Sequence, residues 1–119
     1  MSSRPEQLRD RTKAFALNVI RLFRSLPYRT DSQVLGKQLL RCGTSVAANY
    51  RAVCRAISKA EFVARMGIVV EEADETILWL ELLIESEIVA REKCTELLAE
   101  AHELAAIFTA SQQTARKAA

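Results

Sequence analysis

The chain has 119 residues, of which 50% are hydrophobic and 27% charged, with a formal net charge of +2. These values are typical of one folded soluble domain and exclude a disordered chain. No apolar run approaches the ~20 residues of a membrane span, and the N-terminus MSSRPEQLRD has no apolar signal core, so the sequence predicts a cytoplasmic protein without a membrane segment.

Four helices are predicted from capping signals and from apolar residues at alternating steps of three and four. Three starts fit the capping box, in which a Ser or Thr and a Glu or Gln three residues later satisfy free backbone N–H groups: Ser3, Thr30 and Ser58. The fourth start, near Ala90, has no good capping residue, and the tail TARKAA is expected to be frayed. The predicted ranges are 4–26, 31–56, 59–86 and 90–113. Because the connections are short, neighbouring helices should be antiparallel, which predicts an all-α fold: one up-down-up-down four-helix bundle over residues 1–119.

Helices 1 and 3 carry more apolar residues than one core-facing stripe requires. The surplus residues are Ile20 and Phe23 on helix 1, and Val63, Val70, Ile77, Ile84, Ile68, Trp79 and Leu82 on helix 3. A helix that is apolar around much of its circumference is covered on more than one side, and in a bundle this small the extra cover points to another subunit. The alternative is a wide core face with scattered apolar surface residues, which are common. Self-association is the favoured interpretation.

Charge is distributed unevenly along the chain. Residues 1–60 hold twelve Lys/Arg and three Asp/Glu, whereas residues 61–119 hold five and twelve. On helix 2, four basic residues fall near one face: Lys37, Arg41, Arg51 and Arg55. They either pair with the acids of helix 3, within or between subunits, or contact the phosphates of RNA or DNA. Ion pairing is favoured because the overall charge is nearly balanced.

The stretch CGTSVAANYRAVCRA of helix 2 is built mainly from small residues, which leave room for close backbone approach. Continuing the apolar stripe from Val46 leads to Asn49, so we predict that Asn49, with Ser45 nearby, lies on the core seam and sets helix register.

No catalytic, metal-binding or cofactor-binding constellation is predicted. His102 is the only histidine, and without Glu three residues before it there is no Glu-x-x-His motif of the kind that builds di-iron sites in bundles. The three cysteines have no metal-ligand spacing such as Cys-x-x-Cys and are expected to be reduced thiols. Acidic residues of helix 3 could bind a divalent ion, but on a charged helix they are more often solvated or paired with Arg: Glu71, Glu72 and Glu75.

The run LLRCGTSVAANYRAVCRAISKAEFVARMGIVVEEADETILWLELL resembles a bacterial four-helix bundle family that includes proteins encoded in intervening sequences of large-subunit ribosomal RNA genes. That family's pattern reads approximately R-A-x-x-S-I-x-x-N-I-A-E-G, followed by a basic residue and a Ser-x-x-E-F helix start. Arg41 matches its Arg, Ser45 its Ser, Asn49 its Asn and Ser58 its helix start. The chain departs from the pattern where it has Arg51-Ala52-Val53 instead of Ala-Glu-Gly.

The resemblance implies a cytosolic bundle that assembles as a ring of five and implies little about activity. A distant relative, the accessory protein of diversity-generating retroelements, is a basic pentamer that binds nucleic acid and a reverse transcriptase, whereas this chain is far less basic. We therefore predict a non-enzymatic homo-oligomer, a pentamer if the family ring holds, with a structural or adaptor role. The alternative is an accessory protein that binds RNA or DNA through the basic face of helix 2.

Overall fold

The computed structural model describes residues 3–118 and confirms the four-helix bundle. The helices are α1 (Arg4–Arg24), α2 (Thr30–Cys54), α3 (Lys59–Glu85) and α4 (Arg91–Lys117). Helix α4 continues four residues beyond its predicted end, as far as Lys117. Ala, Arg and Lys are good helix formers, and two basic residues in the last turn complement the helix dipole. Within residues 3–118, none of the helices has the length and hydropathy required to traverse a membrane.

Two of the three predicted caps are confirmed. The Ser3 hydroxyl accepts a hydrogen bond from the Glu6 backbone N–H at 3.2 Å, and the Ser58 hydroxyl accepts one from the Glu61 N–H at 3.1 Å. The predicted cap at Thr30 is wrong, because Thr30 is already helical and Arg29 occupies the cap position without a side-chain bond.

Helix α3 ends without glycine. The Ile88 N–H bonds to the Leu83 carbonyl, and the Glu87 N–H bonds to the Ile84 carbonyl, which together form a Schellman motif. This motif requires a left-handed residue, and here Glu87 adopts it with φ of 66°. The resulting tight turn returns the chain directly into α4.

The helices pack in chain order around one core. Helix α2 packs beside α1 and α3, α3 also packs beside α4, and the α1 and α4 backbones approach each other at only a few points. The α1 and α3 backbones do not approach each other, so these two helices are diagonal in the bundle. The largest fully buried apolar side chains come from all four helices: Phe15, Val19, Leu39, Val46, Met66, Val69, Leu80, Leu83, Leu104 and Phe108.

The small-residue stretch is closely approached at Gly43, and the approaching group is a side chain of α1. A Cβ placed on Gly43 would lie 2.7 Å from one methyl carbon of Val19 and 2.8 Å from the other. Seven residues earlier, a Cβ on Gly36 would lie 2.6 Å from a methyl of Leu26 and 3.0 Å from the Phe23 ring. The two glycines therefore receive α1 side chains at a heptad spacing along one flank of α2.

Candidate interaction surfaces

A polar cluster joins α2 to α3 at the middle of the bundle. The Cys42 thiol donates a hydrogen bond to the Glu75 carboxylate at 3.0 Å. The Arg41 guanidinium lies 3.1 Å from the same carboxylate and 3.6 Å from that of Glu72. Arg41 therefore pairs with acids of α3, as the favoured interpretation expected for it. The sequence did not predict the part played by Cys42, because only the register of α2 against α3 brings it to Glu75.

The ligand atoms of Cys42, Glu72 and Glu75 lie within 4.8 Å of one another, which is close enough to hold a metal ion. A thiol binds metal as thiolate, however, and burial raises the pKa of the Cys42 thiol to about 12. The hydrogen bond from Cys42, followed by the one from Arg41, lowers the pKa of Glu75, so its carboxylate is ionised at neutral pH. The neutral Cys42 thiol and the Arg41 guanidinium already bind the Glu75 carboxylate. The cluster therefore links α2 to α3.

The other predicted basic residues of α2 are exposed: Lys37, Arg51 and Arg55. None of the three forms an ion pair with another residue in the described part of the chain. Arg51 and Arg55 share a shallow cleft of about 380 Å³ with Arg9, Glu6 and Asp10 of α1. The basic face of helix 2 is thus divided: Arg41 is held by α3, whereas Arg51 and Arg55 belong to a surface shared with α1.

Asn49 lies beside the core seam, so its predicted position is wrong. The stripe continues from Val46 to Tyr50, which is buried and packs its ring 5.2 Å from that of Phe108. Asn49 is half-buried, and its amide donates to the Ser45 carbonyl of the same helix at 2.9 Å. A bond within one helix does not by itself align two helices, so a role of Asn49 and Ser45 in register stays a prediction.

An open groove of about 670 Å³ runs between α1 and α4, where these two helices diverge. Phe15, Leu22 and Leu97 contribute apolar surface to its lining. Arg11 crosses from α1 to α4, with 2.7 and 2.8 Å hydrogen bonds to Glu100 and a 2.8 Å contact to Glu103. On the α1–α4 side of the bundle, the Arg11 ion pairs therefore bridge one end of a groove that helix packing leaves open.

The apolar surplus of helices 1 and 3 divides into two groups. Ile77 and Ile84 are buried in the core, and Phe23, Val70 and Trp79 pack against it half-buried, as a wide core face would predict. Ile20 and Val63 are half-buried too, and of the surplus residues only Ile68 and Leu82 are exposed. Together with three large apolar side chains that the sequence did not single out, they form a second, exposed group on α1, α2 and α3: Leu17, Val34, Ile68, Leu78 and Leu82. The second group is the surface that needs an explanation.

Comparison with known proteins agrees with this architecture. The sequence model of the family described as 23S rRNA-intervening sequence protein matches residues 7–110. A protein of unknown function from the S23 ribosomal protein family of Bacteroides thetaiotaomicron VPI-5482, known as a crystal structure, is similar at 32% identity with a TM-score of 0.85. That match covers 93% of this chain and 99% of the other. No curated protein matches the chain.

Proposed function

The chain belongs to the family of 23S rRNA-intervening sequence proteins, and on that premise we propose that it is a non-enzymatic homo-oligomer with a structural or adaptor role in the cytoplasm. The number of subunits is taken to be five, as the resemblance to bacterial four-helix bundle proteins implies. The observation that supports the proposal is the set of large apolar side chains left exposed on α1, α2 and α3.

Three of these side chains lie on one helix, α3. Ile68, Leu78 and Leu82 of α3 are spaced by ten and four residues, which keeps them on the outward side of one helix. Single exposed apolar residues are normal, whereas several on one outward helix side favour an interaction site. A second copy of the chain would remove this surface from water, with about 25 cal/mol gained for each Å² of apolar area.

We expect light scattering of the purified protein to give several times the 13.3 kDa of one chain, and five times if the ring is pentameric. The mass should be constant over a range of micromolar concentrations, because subunit burial of apolar surface favours a defined assembly. A single species of 13.3 kDa at these concentrations would contradict the proposal.

A second candidate function is binding of RNA or DNA, and the observation that favours it is the state of Arg51 and Arg55. Both side chains are exposed, lack an ion-pair partner in the part of the chain that the structure describes, and stand beside Arg9 of α1. More basic residues lie at the same end of the bundle, where α1 and α3 begin and α4 ends: Arg4, Lys59, Arg116 and Lys117. A phosphate backbone is the partner that such a surface would attract.

The nucleic-acid candidate is tested by filter binding to single-stranded RNA at two salt concentrations. If Arg51 and Arg55 each neutralise a phosphate, changing both to Gln should reduce the slope of log affinity against log salt by about 1.4 and leave melting nearly unchanged. The matched control is Arg29→Gln with Arg91→Gln, which removes two charges at the opposite end of the bundle. The adaptor proposal expects no appreciable wild-type binding at physiological salt, and tight, salt-sensitive binding would overturn it.

A pull-down from native lysate, with and without nuclease, separates the same two candidates by partner. Protein partners retained after nuclease treatment would favour the adaptor, and recovered RNA would favour the nucleic-acid candidate.

A further inference from the structure

Helix α1 presents a basic stripe on its outward side. Lys13, Leu17, Arg21 and Arg24 follow at steps of four, four and three, so they share one face, and all are exposed. No acid occurs between Asp10 and Asp31. Within residues 3–118, Lys13 and Arg24 form no ion pair, and Arg21 donates only to the neutral Asn18 amide oxygen at 2.9 Å. The α1 stripe is therefore an apolar residue surrounded by uncompensated positive charges.

Helix α3 presents the opposite combination. Glu71, Leu78, Leu82 and Glu85 follow at steps of seven, four and three on its outward side, with Leu78 47% and Leu82 39% exposed. No base occurs between Arg65 and Arg91. Neither Glu71 nor Glu85 forms an ion pair in the described part of the chain. The α3 stripe is an apolar pair surrounded by uncompensated negative charges.

The two stripes cannot meet within one molecule. Helices α1 and α3 are diagonal in the bundle, and their backbones do not approach each other. Each stripe lies on the side of its helix opposite the buried residues, so the stripes face away from the core in different directions. Their opposite charges and similar apolar content can be brought together only between different copies of the chain.

We propose that the α3 stripe of one copy packs against the α1 stripe of a second copy, and this inference rests on the proposed homo-oligomer. Leu78 and Leu82 would cover Leu17, which is itself 42% exposed, while the acids of α3 face the bases of α1. Such a contact joins two different surfaces, so one copy of a pair keeps its α1 stripe free and the other keeps its α3 stripe free for the next neighbours. A head-to-tail contact of this type builds a ring when the rotation closes.

Charge selects which stripes pair, and apolar burial supplies much of the affinity of this contact. Complementary charges around an interface direct the encounter and exclude wrong pairings, because like charges placed opposite each other are strongly unfavourable. Two α1 stripes, or two α3 stripes, would repel. The proposed contact therefore excludes the symmetric pairings of either stripe with itself.

The test reverses each stripe separately and then both together. We expect Lys13→Glu with Arg24→Glu to shift assembly to at least ~100-fold higher protein concentration, since repulsion replaces attraction. Glu71→Lys with Glu85→Lys should do the same. The chain that carries all four changes should regain the wild-type mass. An equimolar mixture of the two reversed proteins should associate as well, but not into the wild-type ring, because two alternating chains cannot close a ring of five. The readouts are light scattering for mass and circular dichroism for helix content.

Leu78→Asp with Leu82→Asp should also disperse the assembly, and Ile57→Asp is its matched control, because Ile57 is an exposed apolar residue in the α2–α3 connection. If the reversed variants keep the wild-type mass, or if the fourfold variant fails to restore it, the α1–α3 contact is wrong while the homo-oligomer stands. Disruption by only one of the two reversals would assign that stripe to another partner and also overturn the contact. A monomeric wild type would instead overturn the proposed function itself.

Discussion

Phe108→Ala is expected to lower the free energy of unfolding by about 3–5 kcal/mol, because it removes a fully buried aromatic ring from the centre of the bundle. Phe108 has 0% exposure and lies at a 31° tilt to the Tyr50 ring, with the ring centroids 5.2 Å apart. The substitution loses both the buried apolar area and the aromatic pair, and it leaves a cavity between α2 and α4. Urea unfolding followed by circular dichroism measures the change.

Tyr28→Ala is the matched control for this prediction. Tyr28 is also aromatic but almost fully exposed in the α1–α2 connection, so its removal should change the free energy of unfolding by no more than about 0.5 kcal/mol. All proteins are compared at one concentration, because the stability of an oligomer depends on it. A Phe108→Ala protein that unfolds within 1 kcal/mol of wild type would show that the Tyr50–Phe108 region is loosely packed.

Gly43→Ala is expected to lower the free energy of unfolding by about 1–2 kcal/mol, although Ala favours helix over Gly by about 1 kcal/mol. The new Cβ would stand 2.7 and 2.8 Å from the two methyl carbons of Val19. Val19 is fully buried and β-branched, so neither its rotamer nor its position can change without displacing α1 from α2. Thermal and urea unfolding both report the loss.

Two further variants separate the steric cause from a general intolerance of change. Gly67→Ala places its Cβ 2.9 Å from the Nε2 atom of Gln112, the far end of a flexible side chain, and should be neutral or stabilising. In a Val19→Ala background the obstruction at position 43 is gone, so there Gly43→Ala should become stabilising by up to about 1 kcal/mol. If Gly43→Ala is equally harmful in both backgrounds, close packing against Val19 is not the cause.

The Gly43 and stripe variants probe different surfaces of α1. Val19 faces α2 and the core, whereas Lys13, Leu17 and Arg24 face outward. A substitution at Gly43 should therefore change stability without altering the pairing preference of the stripes. Changes on the stripes should alter mass while preserving helix content.

Residues close in the chain account for what the sequence predicted well. The caps at Ser3 and Ser58 depend on a side chain and a backbone N–H three residues apart, and such local geometry needs no knowledge of the rest of the fold. At Thr30 the same pattern failed, because the helix begins one residue earlier and a helical Thr30 cannot act as its cap. A local pattern shows that a helix starts nearby. The exact first residue of α2 depends on the path of the connection between α1 and α2.

Asn49 illustrates the limit of periodicity. From Val46, a step of three leads to Asn49 and a step of four leads to Tyr50, and both agree with 3.6 residues per turn. The structure places Tyr50 on the seam because its ring packs against Phe108 of a helix that is distant in the chain. Only the shape of the opposing surface distinguishes the two steps.

By itself, the sequence determined four helices, their antiparallel order and the separation of basic from acidic residues, because these follow from periodicity, short connections and residue type. The tertiary structure decided which groups meet: Cys42 and Arg41 with Glu75, and Val19 with Gly43. It also decided that α1 and α3 are diagonal, so the basic residues of the α1 stripe and the acidic residues of the α3 stripe do not pair within one chain. The physical reason is that contacts between helices depend on axial register and rotation, and each of these is set by packing across the whole core.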